Sequence, residues 1–365
     1  PYQEKNIRKQ LKKIMIRRMK SELPPRWDGS PRFPQRKIEA LEVHYSPEEK
    51  QAHKWLQEYG KSLQKHLQGS SLLAMEFVLK LLKKRLFSCP ESFASTLEKH
   101  YETLFKSKKH SGLSLSSFKN LQRKWEEAEE DYSDDGEKEE KILEVIEATT
   151  SLVHCLEAEP REALEKLREW AEKARKKADS KAKKLIEWLE THIRPKGKWS
   201  KERVIVFTEY RTTQKWLYGI LSSHGFTEKD GKTKEPRLQM LYGGMPLEER
   251  EKIKAAFQAS PEISGIRILL ATDAASEGID LQNHCSRLIH YEIPWNPNRM
   301  EQRNGRIDRH GQKAPEVFIY HFVPKGCQNQ TGQAGDLDGD LEFLYRVAQK
   351  VEKIREDLLG KVGPV

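Results

Sequence analysis

The pattern of apolar and polar positions divides the chain into two halves. Up to about residue 193, apolar residues mostly recur every three to four positions, and this spacing predicts helices. The predicted helices cover 72–87, 91–105, 117–131 and 141–156. A short apolar run at 37–45 predicts a strand instead. The Ser-Pro-Glu-Glu run at 46–49 predicts that a helix begins there, because it offers an N-cap, a proline and first-turn acids.

One long helix is predicted from residue 159 to residue 193. Its apolar stripe keeps helical spacing and consists of Leu164, Leu167, Ala171, Ala174, Ala178, Leu185 and Leu189. The alanines in the middle would allow another element to pack closely. We interpret the stripe as packing inside the same chain, and a coiled-coil partner is the alternative.

Residues 126–140 carry a strong negative charge. They hold ten acids and one lysine, with a Ser-Asp-Asp-Gly sequence inside the run. Such a composition offers little apolar surface to bury, so we predict a solvated, mobile connection. An acidic segment that binds a partner is the alternative interpretation.

After residue 201 the pattern changes to alternating strands and helices. Short apolar runs, partly β-branched, predict strands at 204–207, 238–241, 266–271, 288–291 and 317–323. Helical patterns lie between them at 213–223 and 248–259. This alternation predicts an α/β fold with an open parallel sheet and helices on both faces. Ligands of such sheets bind beyond the carboxyl ends of the strands.

Composition and charge exclude several classes of protein. No stretch approaches about 18 consecutive apolar residues, which argues against a membrane-spanning helix. The four cysteines form no C-x-x-C pair, which argues against a disulfide scaffold or a cysteine zinc site and favours a reducing compartment, the cytoplasm. The first hundred residues hold 21 basic and 11 acidic residues, which accounts for the whole net charge of +10. A phosphate-attracting patch and a solvated helical face both fit this excess.

Small and hydroxyl-bearing residues follow the predicted strands. Thr208 follows the first strand, Gly243 follows the second and Thr272 follows the third, and such residues suit close approach to phosphates. Arg306 and Arg309 follow the fourth strand, three residues apart, so on a helix they would share one face and clamp a polyphosphate. The arginine that precedes them, at position 303, could instead be a salt-bridge partner of the acids at 301 or 308.

These residues belong to motifs that resemble those of SWI/SNF-type ATPases in helicase superfamily 2, specifically a bacterial, RapA-like kind. The run 302–312 resembles motif VI, 272–282 resembles motif V, and 204–213 resembles motif IV, although Thr-Glu-Tyr at 208–210 departs from the usual sequence there. Further matches are Trp-Asn-Pro at 295–297, Asp-Ser-Lys at 179–181, Arg-Arg-Met-Lys at 17–20 and Leu-Pro-Pro at 23–25.

The resemblance implies a domain organisation. Residues 1–36 would join two lobes, 37–193 would form a mostly helical insertion with the acidic loop 126–140, and 194–330 would form a RecA-like second helicase lobe. Residues 331–365 would add a C-terminal helix.

The resemblance also implies roles for individual residues. Arg306 and Arg309 would be arginine fingers for ATP, and Gln302 would position them. Gly278 and Asp280 would approach the ribose. Three further residues, Thr208, Gly243 and Thr272, would contact the phosphate backbone of one nucleic-acid strand.

A complete motor of this type has a first lobe with a P-loop and an acidic Mg²⁺ motif. Neither sequence is present, and Gly-Lys-Thr at 231–233 lacks the preceding glycine that a P-loop needs. We therefore expect the chain, which opens without Met, to start at the lobe junction. ATP with Mg²⁺ would be bound mainly by the other lobe, and this chain alone would not hydrolyse ATP.

The predicted activity is DNA-stimulated ATP hydrolysis coupled to movement along a duplex. The predicted partners are double-stranded DNA, the first RecA-like lobe and a protein on the helical region, with no membrane contact, in the cytoplasm or at a bacterial nucleoid. No histidine spacing suits a metal, so no protein-bound metal is predicted. An RNA or DNA helicase that unwinds, or a non-catalytic nucleic-acid or protein interaction module, are the alternatives.

Overall fold

The computed structural model describes most of the chain in seven segments. They are 24–29, 31–106, 134–151, 158–228, 235–276, 279–327 and 335–357, with the single residues 120, 123 and 333. The predicted helix at 117–131, the run 17–20, residues 126–133 of the acidic loop and Gly278 lie outside these segments.

Six strands form one parallel sheet. They are β1 (Gln35–Val43), β2 (Val204–Thr208), β3 (Leu238–Leu241), β4 (Ile268–Thr272), β5 (Arg287–His290) and β6 (Glu316–Pro324). Their order across the sheet is β1-β6-β5-β2-β4-β3, and all five pairings are parallel. Strands β2 and β4 are buried along their whole length, as continuous apolar runs predict for a parallel sheet covered on both faces. The predicted α/β fold is confirmed.

Eleven α-helices are seen in the described residues. They are α1 (Pro47–His66), α2 (Gly69–Ser88), α3 (Pro90–Lys106), α4 (Asp135–Thr150), α5 (Ala158–Ala174), α6 (Ser180–His192), α7 (Arg211–Ser223), α8 (Leu247–Gln258), α9 (Asp273–Ser276), α10 (Pro297–Asn304) and α11 (Leu337–Asp357). At the start of α1, Ser46 and Glu49 form the capping box that the sequence at 46–49 predicts. Helices α1, α2, α3 and α5 share a buried apolar core of their own.

The sheet separates two further cores. Alternate residues of β2 point to opposite faces, so Val204 and Val206 join one core while Ile205 and Phe207 join the other. Helices α6 and α7 cover the first face, and α8 covers the second. The motif residues therefore sit at the edge of a layer that is packed on both sides.

The first strand belongs to this sheet. β1 pairs with β6 along its full length, with Ile38 opposite Ile319, and forms one edge of the sheet. The predicted division groups both β1 and α6 with the helical region 37–193, but the structure packs both of them into the sheet layer. Pairing between residues 281 positions apart leaves no local signal in the sequence.

The prediction of a single helix from 159 to 193 is wrong. Helix α5 ends at Ala174, and α6 begins after Asp179, whose side chain accepts a hydrogen bond from the Ala182 amide at 2.7 Å. An aspartate in that position ends one helix and caps the next. As a result the apolar stripe is shared: Leu164 and Leu167 enter the helical core, whereas residues of α6 enter the core of the sheet.

The prediction of a solvated connection is wrong for the described part of the acidic run. Asp134 caps α4 through hydrogen bonds from the amides of Gly136 and Glu137, and the first turns of α4 follow directly. Asp135 and Lys138 are buried. An acidic run can therefore begin a helix when some of its carboxylates accept hydrogen bonds from donors in other segments of the chain.

Candidate functional site at the carboxyl edge of the sheet

The structure brings the three predicted strand-contact residues to neighbouring strands. Thr208 ends β2 and Thr272 ends β4, and the two threonines are register partners. Gly243 follows β3, which pairs with β4 on its other side. Both threonine side chains are fully buried. The carboxyl edge of β2, β4 and β3 therefore places two hydroxyls and a glycine turn close together, as the sequence predicts.

An acidic side chain from the helical region occupies part of this edge. The Gly243 amide donates to Asp135 Oδ2 at 2.5 Å, and the Thr272 hydroxyl donates to the same oxygen at 2.6 Å. Thr208 does not take part, because its hydroxyl donates to the Tyr210 carbonyl at 3.4 Å. Burial raises the pKa of Asp135, and the two hydrogen bonds offset that rise only in part.

A second acid of α4 meets the next segment of the edge. Glu139 accepts from the Thr212 amide at 2.9 Å and from the Thr212 hydroxyl at 2.6 Å, at the start of α7. Arg85 of α2 donates to the same carboxylate at 3.4 Å. Glu139 thus provides an acceptor for an amide that the first turn of a helix leaves without an intrahelical partner.

The predicted arginine fingers lie in a turn, not on a helix. Helix α10 ends at Asn304, and Arg306 and Arg309 lie in the turns that follow it. Arg306 is half-buried and Arg309 is exposed, so the prediction that they share one helical face is wrong. Gly305 stands directly after the helix, and glycine is a poor helix former.

This turn meets the residues that follow β4. Arg309 forms an ion pair with Asp280, and the Leu281 amide donates to the Arg306 carbonyl at 3.3 Å. Gln302 is exposed on α10. The structure therefore joins the motif V and motif VI residues that the sequence assigns to the nucleotide, apart from Gly278, which lies outside the described segments.

Sequence reasoning missed the partner of Arg303. This side chain is buried and binds both carboxylate oxygens of Asp273, at 2.5 and 2.8 Å, so the suggested pairing with the acids at 301 or 308 is wrong. Burial alone would raise the pKa of Asp273, but the arginine outweighs it and holds that pKa below its ordinary value. The pair ties α10 to the carboxyl end of β4.

Sequence reasoning also missed Arg36. Its buried guanidinium in β1 contacts Glu301 at 2.7 Å, Asp308 at 2.6 Å and Glu352 at 2.9 Å. Burial opposes the charge, yet the three acids raise the pKa of Arg36 above its ordinary value. One arginine at the sheet edge therefore anchors the motif VI turn and α11 together. No signal in the sequence distinguishes it from other arginines of the basic first hundred residues.

Two structural properties of the described residues bear on the class of site. They contain no group of three or more His, Cys, Asp or Glu residues that could hold a metal ion. Within the same segments, none of the helices combines the length and apolar character that crossing a membrane requires.

Comparisons with known proteins agree with the motifs. Residues 180–311 match the family described as Helicase conserved C-terminal domain. The chain is 34% identical over 164 residues to the uncharacterized ATP-dependent helicase YqhH of Bacillus subtilis, covering 44% of this chain and 25% of that protein. It is 32% identical over 130 residues to the DNA repair and recombination protein RDH54 of Saccharomyces cerevisiae, covering 36% and 13% of the two chains.

A third curated relative and a solved structure were also found to be similar. The RNA polymerase-associated protein RapA of Vibrio cholerae is 30% identical over 135 residues, which covers 37% of this chain and 12% of RapA. The matched segments thus span a quarter or less of these curated relatives. Among solved structures, the C-terminal part of the Fun30 ATPase domain aligns with a TM-score of 0.43 and 17% identity, covering 89% of this chain and 99% of that one.

The family match covers the segment that holds the last three motifs and most of the sheet. Together with the curated relatives, it confirms the resemblance that the motifs indicate. Residues 180–311 are thus a helicase conserved C-terminal domain, and the chain is similar to the C-terminal half of SWI/SNF-type, superfamily-2 helicase-like ATPases.

Proposed function

We propose that this chain supplies the second RecA-like lobe of an ATPase that is stimulated by nucleic acid and moves along duplex DNA. The observation that carries the proposal is the arrangement of two groups of residues around one sheet. Donors lie at the carboxyl ends of β2, β4 and β3, and the turn with Arg306 and Arg309 follows α10 and meets Asp280. The first group suits a sugar-phosphate backbone and the second suits a polyphosphate.

Duplex DNA is the substrate that we propose for the first group. Gly243 offers an amide, and Thr272 and Thr208 offer hydroxyls, and such groups bind phosphate oxygens without reading the base sequence. The name of the yeast relative, a DNA repair and recombination protein, supports DNA over RNA. A translocase needs this indifference to sequence, since it must bind every step of its track. We accordingly propose the cytoplasm, with nucleoid association in a bacterium, as its location.

The second group would act on ATP that a first RecA-like lobe holds. Arg309 is exposed and its partner Asp280 is exposed as well, so a triphosphate can replace the carboxylate at little cost. Arg306 and Arg309 would then neutralise charge that develops on the phosphates during transfer. Gln302, exposed on the neighbouring α10, would help to orient the arginines, and Asp280 would move to the ribose. A protein partner of the helical region stays a prediction.

Mg²⁺ would accompany the nucleotide. It would reach the site on the phosphates and through the first lobe, because the described residues offer no cluster of ligands for it. The ion would supply charge stabilisation at the phosphates.

The test uses a protein in which both lobes are present. We expect duplex DNA to stimulate ATP hydrolysis, and Arg306→Ala or Arg309→Ala each to lower kcat by about 10³-fold or more while duplex affinity stays unchanged. Arg161→Ala on α5 is the matched control, since Arg161 is an exposed arginine paired with Glu165 far from the motifs. Its kcat should equal that of the parent.

Two results would contradict the proposal. If Arg309→Ala left turnover intact but abolished DNA binding, the motif VI turn would not face the nucleotide. If the 365-residue chain by itself showed steady ATP turnover that Arg306→Ala abolished, no first lobe would be needed. Strand separation by the two-lobe protein, measured with a labelled duplex, would favour an unwinding helicase instead of a translocase.

A further inference from the structure

The donors at the strand edge are already bound to an acid of the same chain. The Gly243 amide and the Thr272 hydroxyl both donate to a single carboxylate oxygen, Asp135 Oδ2. An amide and a hydroxyl aimed at one anionic oxygen form the same arrangement that binds a backbone phosphate oxygen. Asp135 therefore stands at the position that a phosphate would occupy.

Glu139 repeats this arrangement one helical turn later. Its carboxylate accepts from the amide and the hydroxyl of Thr212, in the first turn of α7, the helix that follows β2. Residues four apart lie on the same face of a helix, so Asp135 and Glu139 point from α4 to the same edge. Two carboxylates on one face of α4 thus accept hydrogen bonds from the end of β4 and from the segments after β2 and β3.

The acidic helix start, residues 134–139, also fills the space in front of the glycine turn. Gly244 has a φ of +82°, and a Cβ added there would collide with the side chain of Asp134. Asp135 is 3% exposed and Thr272 is fully buried beneath it. A sugar-phosphate chain cannot contact the Gly243 amide while this segment is in place.

The two ends of α4 are held by different forces. Ile142, Val145 and Ile146 pack against α2 and Tyr210 in an apolar cluster. The acidic helix start, in contrast, is held by polar contacts: its carboxylates accept hydrogen bonds, and the Asp135 amide donates to the Gly243 carbonyl at 3.4 Å. The first turn can therefore leave while the rest of the helix stays docked, because local opening is easiest where little apolar surface is buried.

We propose that the acidic helix start is an intramolecular competitor of nucleic acid, which occupies the strand-contact donors by mimicking phosphate and is displaced when a duplex binds. The inference rests on the proposed role of Gly243 and Thr272 as backbone contacts. The chain itself then covers the strand edge. The apparent association constant for a duplex equals the intrinsic constant multiplied by the fraction of molecules in which the edge is free.

The first experiment compares two charge-neutralising variants by duplex affinity. Asp135→Asn removes the anionic acceptor, and Glu137→Gln removes the same charge from an exposed neighbour in the same helical turn. Asp135→Asn should raise affinity for a duplex by roughly tenfold, because hydrogen bonds to charged groups hold the closed state. Glu137→Gln should change it by much less. Unfolding curves confirm that each variant is folded, and Glu139→Gln should shift affinity in the same direction as Asp135→Asn.

Thr272→Val, made in both the parent and the Asp135→Asn background, tests the backbone contact and the intramolecular competitor separately. Loss of affinity on Thr272→Val in the Asp135→Asn background supports both the backbone contact and the competitor. If Thr272→Val lowers affinity but Asp135→Asn and Glu137→Gln behave alike, the competitor is overturned and the contact stands. If Thr272→Val changes nothing in either background, the contact itself is overturned, and the competitor with it.

Hydrogen exchange gives a readout that does not depend on affinity. With saturating duplex, peptides that cover 134–141 should exchange faster, because the acidic helix start has left the edge. Unchanged or slower exchange in these peptides at saturation would overturn the displacement.

Discussion

The two groups of site residues belong to the same sheet layer, yet they differ in exposure. At the ends of β2 and β4, Thr208 and Thr272 are completely buried. Arg309, in the turn after α10, has a side chain that is 44% exposed, and its partner Asp280 is 56% exposed. The first group is covered by a helix of the same chain, whereas the second faces solvent with only a surface ion pair.

This difference bears on how readily each group of residues can bind a ligand. An exposed ion pair is weak and exchanges readily with a phosphate, so under the proposed function Arg309 would meet a nucleotide held by another lobe without prior rearrangement. A buried carboxylate bound by two donors would have to be displaced first. The proposed nucleotide side is therefore open, and the proposed strand side is occupied by the acidic helix start.

The same contrast appears between two arginines of one motif. Arg303 is buried and binds Asp273 through two hydrogen bonds, and Arg309 is exposed and bound through one ion pair. Arg303 ties α10 to the end of β4, whereas Arg309 is the arginine that the proposed function assigns to the nucleotide. The contrast predicts effects on unfolding free energy, on duplex affinity across a salt series and on the pH dependence of stability, in decreasing order of size.

The largest effect is expected from Arg303→Ala. The change removes a fully buried cation and leaves the half-buried Asp273 without its main partner, so the free energy of unfolding should fall by about 3–5 kcal/mol. Arg309→Ala is the matched control and should cost at most about 1 kcal/mol, since its pair is exposed. Urea unfolding followed by far-UV circular dichroism measures both, and equal losses would contradict the division between an anchoring and a reactive arginine.

The second effect concerns salt. Binding to a duplex should be independent of sequence and should weaken roughly tenfold between about 50 and 200 mM salt if about two phosphates are neutralised by basic residues. Gly243 and Thr272 are neutral donors, so Asp135→Asn should shift the whole curve and leave its slope nearly unchanged. Titrations of several unrelated duplexes across a salt series test this, and a flat salt response or one preferred sequence would oppose it.

The smallest effect is a dependence of stability on pH at Asp135. Its folded pKa is raised from 3.8 by burial, so the folded state keeps the proton to a higher pH than the unfolded chain does. The resulting stability is fully present below the unfolded pKa and is lost as pH rises through the folded pKa. The free energy of unfolding of Asp135→Asn, measured against the parent at acidic and neutral pH, should lack this loss. An identical pH profile would show that Asp135 titrates normally.

Local patterns of the sequence determined most of the elements and the motifs. Strands such as β3 and helices such as α7 follow from apolar spacing over a few residues, which is a short-range property of the chain. The strand-end positions of Thr208, Gly243 and Thr272 followed from the rule that parallel strands present their carboxyl ends together. The motif identified Arg306 and Arg309, but the sequence did not predict that they lie in a turn, because the end of a short helix depends on its surroundings.

The tertiary structure decided which charged residues are buried and with whom. Nothing near Arg36 marks it as the arginine that joins Asp308 and Glu352, because its partners lie more than 270 residues away. Ten acids stand in the run 126–140, and only packing of α4 against the sheet edge selects Asp135 to meet Gly243 and Thr272. Periodicity records which face of an element is apolar, but the pairing of a buried charge depends on contacts between distant segments, and those exist only once the chain has folded.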